Sequence, residues 1–207
     1  MLRDMLLLPM YIRALFEIIG RLFYVLAISL IPLSTATVII QATPIVVVAG
    51  AAIIFGEKVG WRRWTAILLG LFGVIVIIQP TAESFSFLSI LALIGMIGFA
   101  GRDLASRAAP ENLSVFILGL HGFIALAFSG LIYTIWDDAN FVMIDIDTIG
   151  FMVGAVVFGV AAYSCLMKAM RTGEVSAVTP FRYTRLIFGV SLGVFFFNES
   201  LNYATVL

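Results

Sequence analysis

Charged residues are scarce in this chain of 207 residues, where 12 basic and 12 acidic side chains make up 12% of the sequence and cancel to a net charge of zero. A soluble domain carries about 25% charge, so the polar surface here is too small to cover a water-exposed globule. The balanced charge gives nucleic-acid binding no electrostatic basis. A single cysteine excludes a disulfide framework, and the single histidine leaves no paired spacing of metal ligands.

Apolar residues are correspondingly abundant, at 62% of the chain with a mean hydropathy of +1.14. They recur in runs of about 20 residues, the length that a helix needs to cross a hydrocarbon core of roughly 30 Å. Short connections rich in Pro, Gly, Ser and Asn separate the runs and favour helix ends. We therefore predict an all-α, polytopic membrane helix bundle with spanning helices at 13–31, 35–56, 62–79, 86–106, 113–135, 149–170 and 175–197.

The charged side chains are sorted between the two sides of this predicted bundle. One side carries the basic set: Arg3, Arg13, Lys58, Arg62, Arg63, Arg102, Arg107, Lys168 and Arg171. The other carries the acidic set: Glu83, Asp137, Asp138, Asp145, Asp147 and Glu199. Since connections rich in Lys and Arg stay in the cytoplasm, the basic side is predicted to be cytoplasmic.

The chain also matches itself at an offset of 142 residues, which aligns Ser34 with Ser176 and Glu57 with Glu199. Each of these glutamates ends a long apolar run, yet the two predicted helices run in opposite directions through the membrane. The repeat is therefore predicted to be inverted. Inverted repeats are typical of secondary transporters, which bind substrate near the midplane between the halves.

The residues that carry a family resemblance are Ala27, Pro32-Leu33-Ser34, Pro44, Gly56-Glu57-Lys58, Trp61-Arg62-Arg63-Trp64, Gly70, Gly73-Val74 and Gln79-Pro80, with Thr179-Pro180-Phe181-Arg182-Tyr183-Thr184-Arg185 in the second half. The chain resembles the EamA-type transporters of the drug/metabolite transporter superfamily. The resemblance implies ten helices in two inverted halves around a central cavity, in a bacterial inner membrane. Residues 1–81 would be a partial first repeat, and 82–207 a second repeat that lacks most of its last helix. We therefore expect about seven complete helices of the ten. On this expectation the chain is a truncated or incomplete transporter.

Charges inside a span are costly, so each normally has a partner or faces water. Arg182 and Arg185 are three residues apart and share one helix face, which Gly189 and Gly193 continue. Two guanidinium groups at a cavity wall would attract a carboxylate; alternatively, they neutralise buried acids or cap carbonyls. Tyr183 beside them offers a hydroxyl to substrate or anchors the helix at the membrane interface.

One face of the predicted second span carries Thr37, Gln41 and Pro44. Proline removes a backbone hydrogen bond and frees a carbonyl, which predicts either a helix break exposed to substrate or a simple kink. Thr37 and Gln41 are therefore candidate substrate-binding residues.

Three further residues are candidates for gating or coupling. Glu17 and Arg21 have the i, i+4 spacing of an ion pair, either structural or broken during transport. His121 is the only histidine, either a proton relay or an interhelical hydrogen-bonding residue.

These observations favour a secondary transporter that works by alternating access on small carboxylate-bearing metabolites, amino-acid-like compounds in particular. No enzyme chemistry, catalytic residue, metal or cofactor is predicted. The expected partners are the substrate and the lipid bilayer, and a homo-oligomer stays open. The alternative is a membrane subunit that does not transport, or a fragment without function.

Overall fold

The computed structural model describes residues 8–78, 85–110, 113–136, 145–184, 187, 188 and 191. It has eight α-helices and a 3-10 helix within those residues, and no strand there. They are α1 (Leu8–Leu30), α2 (Leu33–Gln41), α3 (Thr43–Phe55), α4 (Trp61–Ile78), α5 (Ser89–Ala108), α6 (Val115–Trp136), α7 (Ile146–Arg171), α8 (Val175–Val178) and the 3-10 helix (Thr179–Tyr183). The predicted helix bundle is confirmed.

Five helical segments in the described residues are long and apolar enough to cross a membrane: Thr35–Phe55, which joins α2 to α3, then Trp61–Ile78, Ser89–Ala108, Val115–Trp136 and Thr148–Arg171. Helix α1 has 23 residues and is also long enough to cross, but it carries Arg13, Glu17 and Arg21. The protein is therefore a multi-pass membrane protein.

Helix α5 lies at the centre of the bundle, where it contacts α1, α2, α3 and α7. Its closest approach is to α1, because Gly98 and Gly20 face each other across the crossing. A Cβ atom added at Gly98 would lie 2.5 Å from the backbone nitrogen of Gly20. Small residues at such crossings let membrane helices pack backbone to backbone.

The predicted span 35–56 is broken rather than continuous, and Pro44 is the cause. Proline has no backbone N–H to donate to the carbonyl of Ile40, and the hydroxyl of Thr43 donates to that oxygen instead. The next amide, of Ile45, donates to the carbonyl of Ala42 at 3.0 Å. Two helices, α2 and α3, with one residue between them, therefore occupy the range predicted for a single helix.

The break leaves the carbonyl of Gln41 without its helical donor. The hydroxyl of Tyr183 donates to this oxygen at 3.0 Å. The tyrosine ring approaches α4 so closely that any Cβ at Gly70 would overlap it. Glycine at position 70 thus allows Tyr183 to reach the break between α2 and α3.

The predicted helix at 175–197 is wrong over its first turns. Only Val175–Val178 is α-helical, and Thr179–Tyr183 is a 3-10 helix. Pro180 cannot donate a backbone hydrogen bond, while the hydroxyl of Thr179 donates to the carbonyl of Val175 at 2.6 Å. The tighter winding begins at this Thr-Pro pair. Most of the remaining predicted span lies outside the described residues.

Glu57, just after α3, joins two distant parts of the chain. Its carboxylate accepts hydrogen bonds from the backbone N–H groups of Val175 at 2.9 Å and Ser176 at 3.0 Å. These N–H groups have no helical acceptor at the start of α8. Beside them, Arg63 forms an ion pair with Glu174 and donates to the Ser176 hydroxyl at 2.6 Å. These contacts connect the C-terminal end of α3 and the N-terminal end of α4 to α8.

These hydrogen bonds predict a pH dependence of stability. Partial burial raises the pKa of Glu57, but hydrogen bonds from Ser176 and Val175 outweigh it and lower the pKa below its ordinary value of 4.5. A lowered folded-state pKa contributes stability above the ordinary value, and that stability is lost as pH falls through the folded pKa. We expect the difference in Tm between wild type and Glu57→Gln to be largest near pH 7 and to shrink below about pH 4.5. Thermal unfolding in detergent measures it, and a difference that does not change with pH would contradict the prediction.

The crossing of α1 and α5 gives a second prediction. Gly98→Ala should reduce the free energy of unfolding by about 1–3 kcal/mol, because the added methyl group forces two backbones apart. Gly73→Ala in α4 is the matched control, since a Cβ there meets nothing within 4 Å. The control should gain up to about 1 kcal/mol from helix propensity. Equal effects of the two substitutions in detergent unfolding would refute close packing at Gly98.

Candidate functional site

Glu17 lies buried at the middle of a polar network inside the apolar bundle. Its Oε1 accepts hydrogen bonds from Arg21 Nε at 3.2 Å and Arg102 Nη1 at 3.2 Å. Its Oε2 accepts from the hydroxyl of Tyr163 at 2.7 Å and lies 3.8 Å from Arg13 Nη2. One carboxylate on α1 therefore receives groups from α1, α5 and α7.

A second buried carboxylate, Asp103, extends the network toward the 3-10 helix. Its Oδ1 lies 2.8 Å from Arg102 Nη2 and accepts from Nε of the same guanidinium at 2.9 Å. Its Oδ2 accepts a hydrogen bond from Arg182 Nη1. Arg102 thus bridges Glu17 and Asp103, and Arg182 of the second half of the chain is held against α5.

The network carries more positive than negative charge. Four arginines, Arg13, Arg21, Arg102 and Arg182, surround two carboxylates. Two positive charges therefore remain uncompensated among the described residues. An uncompensated charge in the interior of a membrane protein is costly, so this region is suited to hold an anion.

Three of the four arginines of the network line the central cavity, which has a volume of about 420 Å³. Its wall combines three guanidinium groups, two aromatic rings and several neutral polar side chains: Arg21, Arg102, Arg182, Tyr24, Phe99, Thr37, Gln41 and Thr43. The rings of Tyr24 and Phe99 meet edge to face, with centroids 6.1 Å apart. The cavity lies where the helix break after Gln41 meets the 3-10 helix.

The three arginines on the cavity wall differ in how much of each guanidinium is already used. Arg102 bonds both carboxylates, and only 7% of its side chain is exposed. Arg21 uses Nε and is 32% exposed, and Arg182 uses Nη1 and is 18% exposed. Arg21 and Arg182 therefore present N–H groups to the cavity, while Arg102 holds the network together.

The sequence profile of the EamA-like transporter family matches residues 2–79 and 86–207. The chain belongs to the EamA-like transporter family. An S-adenosylmethionine uptake transporter of Rickettsia prowazekii is 24% identical to this EamA-like protein over 198 residues, which cover 94% of the chain and 65% of the relative. A riboflavin transporter of Rhizobium johnstonii is 25% identical over 196 residues, covering 90% and 61%.

A third relative is the pseudopaline exporter CntI of Pseudomonas aeruginosa, 23% identical over 177 residues, with 85% of this chain and 62% of the relative covered. The EamA-like chain spans less than two thirds of the length of these three relatives. A crystal structure with 18% identity superposes with a TM-score of 0.80, covering 96% of this chain and 72% of that one. That likeness shows the fold.

The EamA-like structure gathers most of the residues predicted to contact substrate. Arg182, Thr37 and Gln41 line the cavity together. Tyr183 lies beside it and bonds the Gln41 carbonyl. Arg185 lies outside the described residues. Arg182 also donates a hydrogen bond to the buried Asp103, the kind of contact expected if it neutralises a buried acid.

The residues predicted to gate or couple transport divide into two groups. Glu17 and Arg21 form the expected ion pair, but it lies within the buried network and Arg21 also lines the cavity. His121 on α6 is not part of the cavity wall, and its Nδ1 is buried with no partner among the described atoms.

Sequence reasoning missed four residues of the network: Arg13, Arg102, Asp103 and Tyr163. The sequence predicts Arg13 and Arg102 only as members of the basic set, and the structure shows that both are buried inside helices α1 and α5. The adjacent opposite charges of Arg102 and Asp103 inside an otherwise apolar run are the signal that indicates a buried pair. Tyr163 gave no such signal, because a tyrosine in an apolar helix is also typical of an interface anchor.

The network predicts a large effect on stability from a small change. Asp103→Asn should reduce the free energy of unfolding by about 3–5 kcal/mol, because it leaves Arg102 and Arg182 buried beside a neutral group. Asp145→Asn is the matched control. Asp145 is exposed at the start of α7 and accepts a hydrogen bond from the Thr148 N–H at 3.2 Å, which asparagine also accepts. If both variants unfold like wild type in detergent, the network does not stabilise the bundle.

Proposed function

We propose that this protein is part or all of a secondary transporter that moves small carboxylate-bearing metabolites, amino-acid-like compounds in particular, across a bacterial inner membrane. The observation that carries the proposal is the pair Arg21 and Arg182 on the wall of the central cavity. Each keeps N–H groups unused by Glu17 or Asp103, and the network around them has two excess positive charges. Family membership and the names of the relatives support transport of a small molecule.

A carboxylate is the anion that this geometry suits best. Guanidinium groups bind carboxylates through paired, charge-assisted hydrogen bonds. The partial burial of Arg21 and Arg182 strengthens such bonds, because fewer waters compete for the N–H groups. Binding would also compensate one of the excess charges.

The rest of the cavity wall suits a small organic molecule attached to that carboxylate. Tyr24 and Phe99 supply an apolar surface, while Thr37 and Gln41 supply neutral oxygen atoms that can accept hydrogen bonds from an ammonium group. This combination supports an amino acid or a related compound as substrate.

Alternating access would use the contacts between α8 and the ends of α3 and α4. In the predicted orientation, the Glu57 hydrogen bonds and the Arg63–Glu174 ion pair lie on the cytoplasmic side. They tie the two halves together there and must separate when the cavity opens to the cytoplasm. Each of these contacts is partly exposed to water, so breaking it costs little free energy.

Binding to the purified protein tests the substrate class. The probes are the 20 amino acids, each paired with its carboxamide, together with S-adenosylmethionine and riboflavin, and the readout is the shift in Tm. We expect one or more amino acids to stabilise the protein and their carboxamides not to do so, because the amide removes the negative charge. The stabilising amino acid is then radiolabelled and used in counterflow with proteoliposomes.

Substitution of single arginines tests which side chains contact the substrate. Arg21→Gln and Arg182→Gln should each weaken binding on the order of 10- to 100-fold, the range for loss of a charged hydrogen bond. Arg62→Gln is the control, since Arg62 is exposed at the start of α4, where it stacks on Trp61, and binding should not change. Stabilisation by riboflavin alone, unaffected by the arginine variants, would sink the carboxylate proposal. Binding without counterflow would favour a membrane subunit that does not transport.

A further inference from the structure

A second cavity, of about 800 Å³, lies away from the central one and shares no lining residue with it. It opens where α3, α5 and α7 end and α6 begins. Three basic side chains and two hydroxyl groups surround it: Arg107, Lys168, Arg171, Ser114 and Thr172. No acidic side chain is among its described lining residues.

Two of the cations are fixed by hydrogen bonds to neutral groups. Arg171 donates from Nη2 to the carbonyl of Pro110 at 2.7 Å and from Nη1 to that of Leu113. Arg107 donates from Nη1 to the carbonyl of Arg171 at 3.3 Å. Carbonyl acceptors orient a guanidinium without cancelling its charge. Lys168 is exposed and contacts no acceptor among the described residues.

The carboxylate of Glu57, which interacts with Arg107, is already engaged elsewhere. The charge of Arg107 contributes to the lowered pKa of Glu57, but the two oxygens of Glu57 are bonded to the N–H groups of Val175 and Ser176. Glu57 does not line the cavity. The cavity is therefore a concentrated positive site with fixed donors.

The position of this second cavity relative to the membrane indicates the class of ligand that it binds. The cavity is bounded by the last residues of α5 and α7 and the first residues of α6, so it lies at the membrane surface. Its lining also includes the partly buried apolar side chains of Phe55 and Val115. The basic side is predicted to be cytoplasmic, and cytoplasmic leaflets hold anionic lipids that basic pockets between helices bind.

We propose that this cavity binds the phosphate group of an anionic phospholipid headgroup. Arg107, Lys168 and Arg171 contact the phosphate, and Phe55 and Val115 contact the glycerol and upper acyl region. A bound lipid would connect the ends of α5, α6 and α7. The site does not depend on the substrate of the central cavity.

Native mass spectrometry of the purified protein tests the site, with phosphatidylglycerol and phosphatidylcholine of matched acyl chains as probes. We expect retention of phosphatidylglycerol in preference to phosphatidylcholine. Lys168→Gln and Arg107→Gln should each weaken phosphatidylglycerol binding about fivefold, and the double variant about 25-fold, if the contributions of surface cations add. Lys58→Gln is the matched control, since Lys58 is exposed, predicted to lie on the same side, and outside the cavity.

The control separates a site from general surface charge. If Lys58→Gln weakens phosphatidylglycerol binding as much as Lys168→Gln, or if both lipids bind equally, the proposal is overturned. Inorganic phosphate is the remaining probe, read as the shift in Tm. A shift that Lys168→Gln abolishes, without enrichment of phosphatidylglycerol, would assign the cavity to soluble phosphate and overturn the lipid headgroup as its source.

Discussion

A carboxylate inside an apolar bundle must be surrounded by donors and cations, and Glu17 imposes this condition on three helices at once. Its partners come from α1, α5 and α7, so the positions of these helices are set relative to one another by hydrogen bonds with directional requirements. Removing one partner of a buried ion pair costs more than the pair itself contributes. The network is thus a constraint on packing, and it also holds in place the three arginines on the wall of the central cavity.

The cavity owes its shape to interrupted helices. At Thr43-Pro44 and at Thr179-Pro180, the proline has no backbone N–H to donate. The threonine hydroxyl donates a hydrogen bond to a backbone carbonyl of the preceding turn. The first break exposes the Gln41 carbonyl to Tyr183. These two residues are 142 apart, the offset at which the sequence matches itself, so the two predicted repeats would meet here at corresponding positions. Irregular backbone at membrane depth is tolerated where it is enclosed by protein or lines a cavity.

Much of the fold followed from apolar run length and turn residues, because membrane helices are constrained by the thickness of the bilayer. The boundaries of α4, α6 and α7 differ from the predicted ones by at most three residues. Arg182, Thr37 and Gln41 were recognisable as polar groups within spans. Arg13 and Arg102 were not, because a basic residue near a predicted helix end looks the same whether it faces the cytoplasm or an acid. The pairing of Arg182 with Asp103 spans 79 residues of sequence and has no local signal.

The capping of α8 by Glu57 has a consequence for the order in which the protein is assembled. The acceptor and the first donor are 118 residues apart, and at a synthesis rate of about 5–20 residues per second the donor emerges roughly 6–24 s later. Throughout that interval the first part of the bundle is in the membrane with the end of α3 untied. Until Val175 has been synthesised, the insertion machinery and the surrounding lipids must therefore accommodate helices whose contact at the end of α3 has not yet formed.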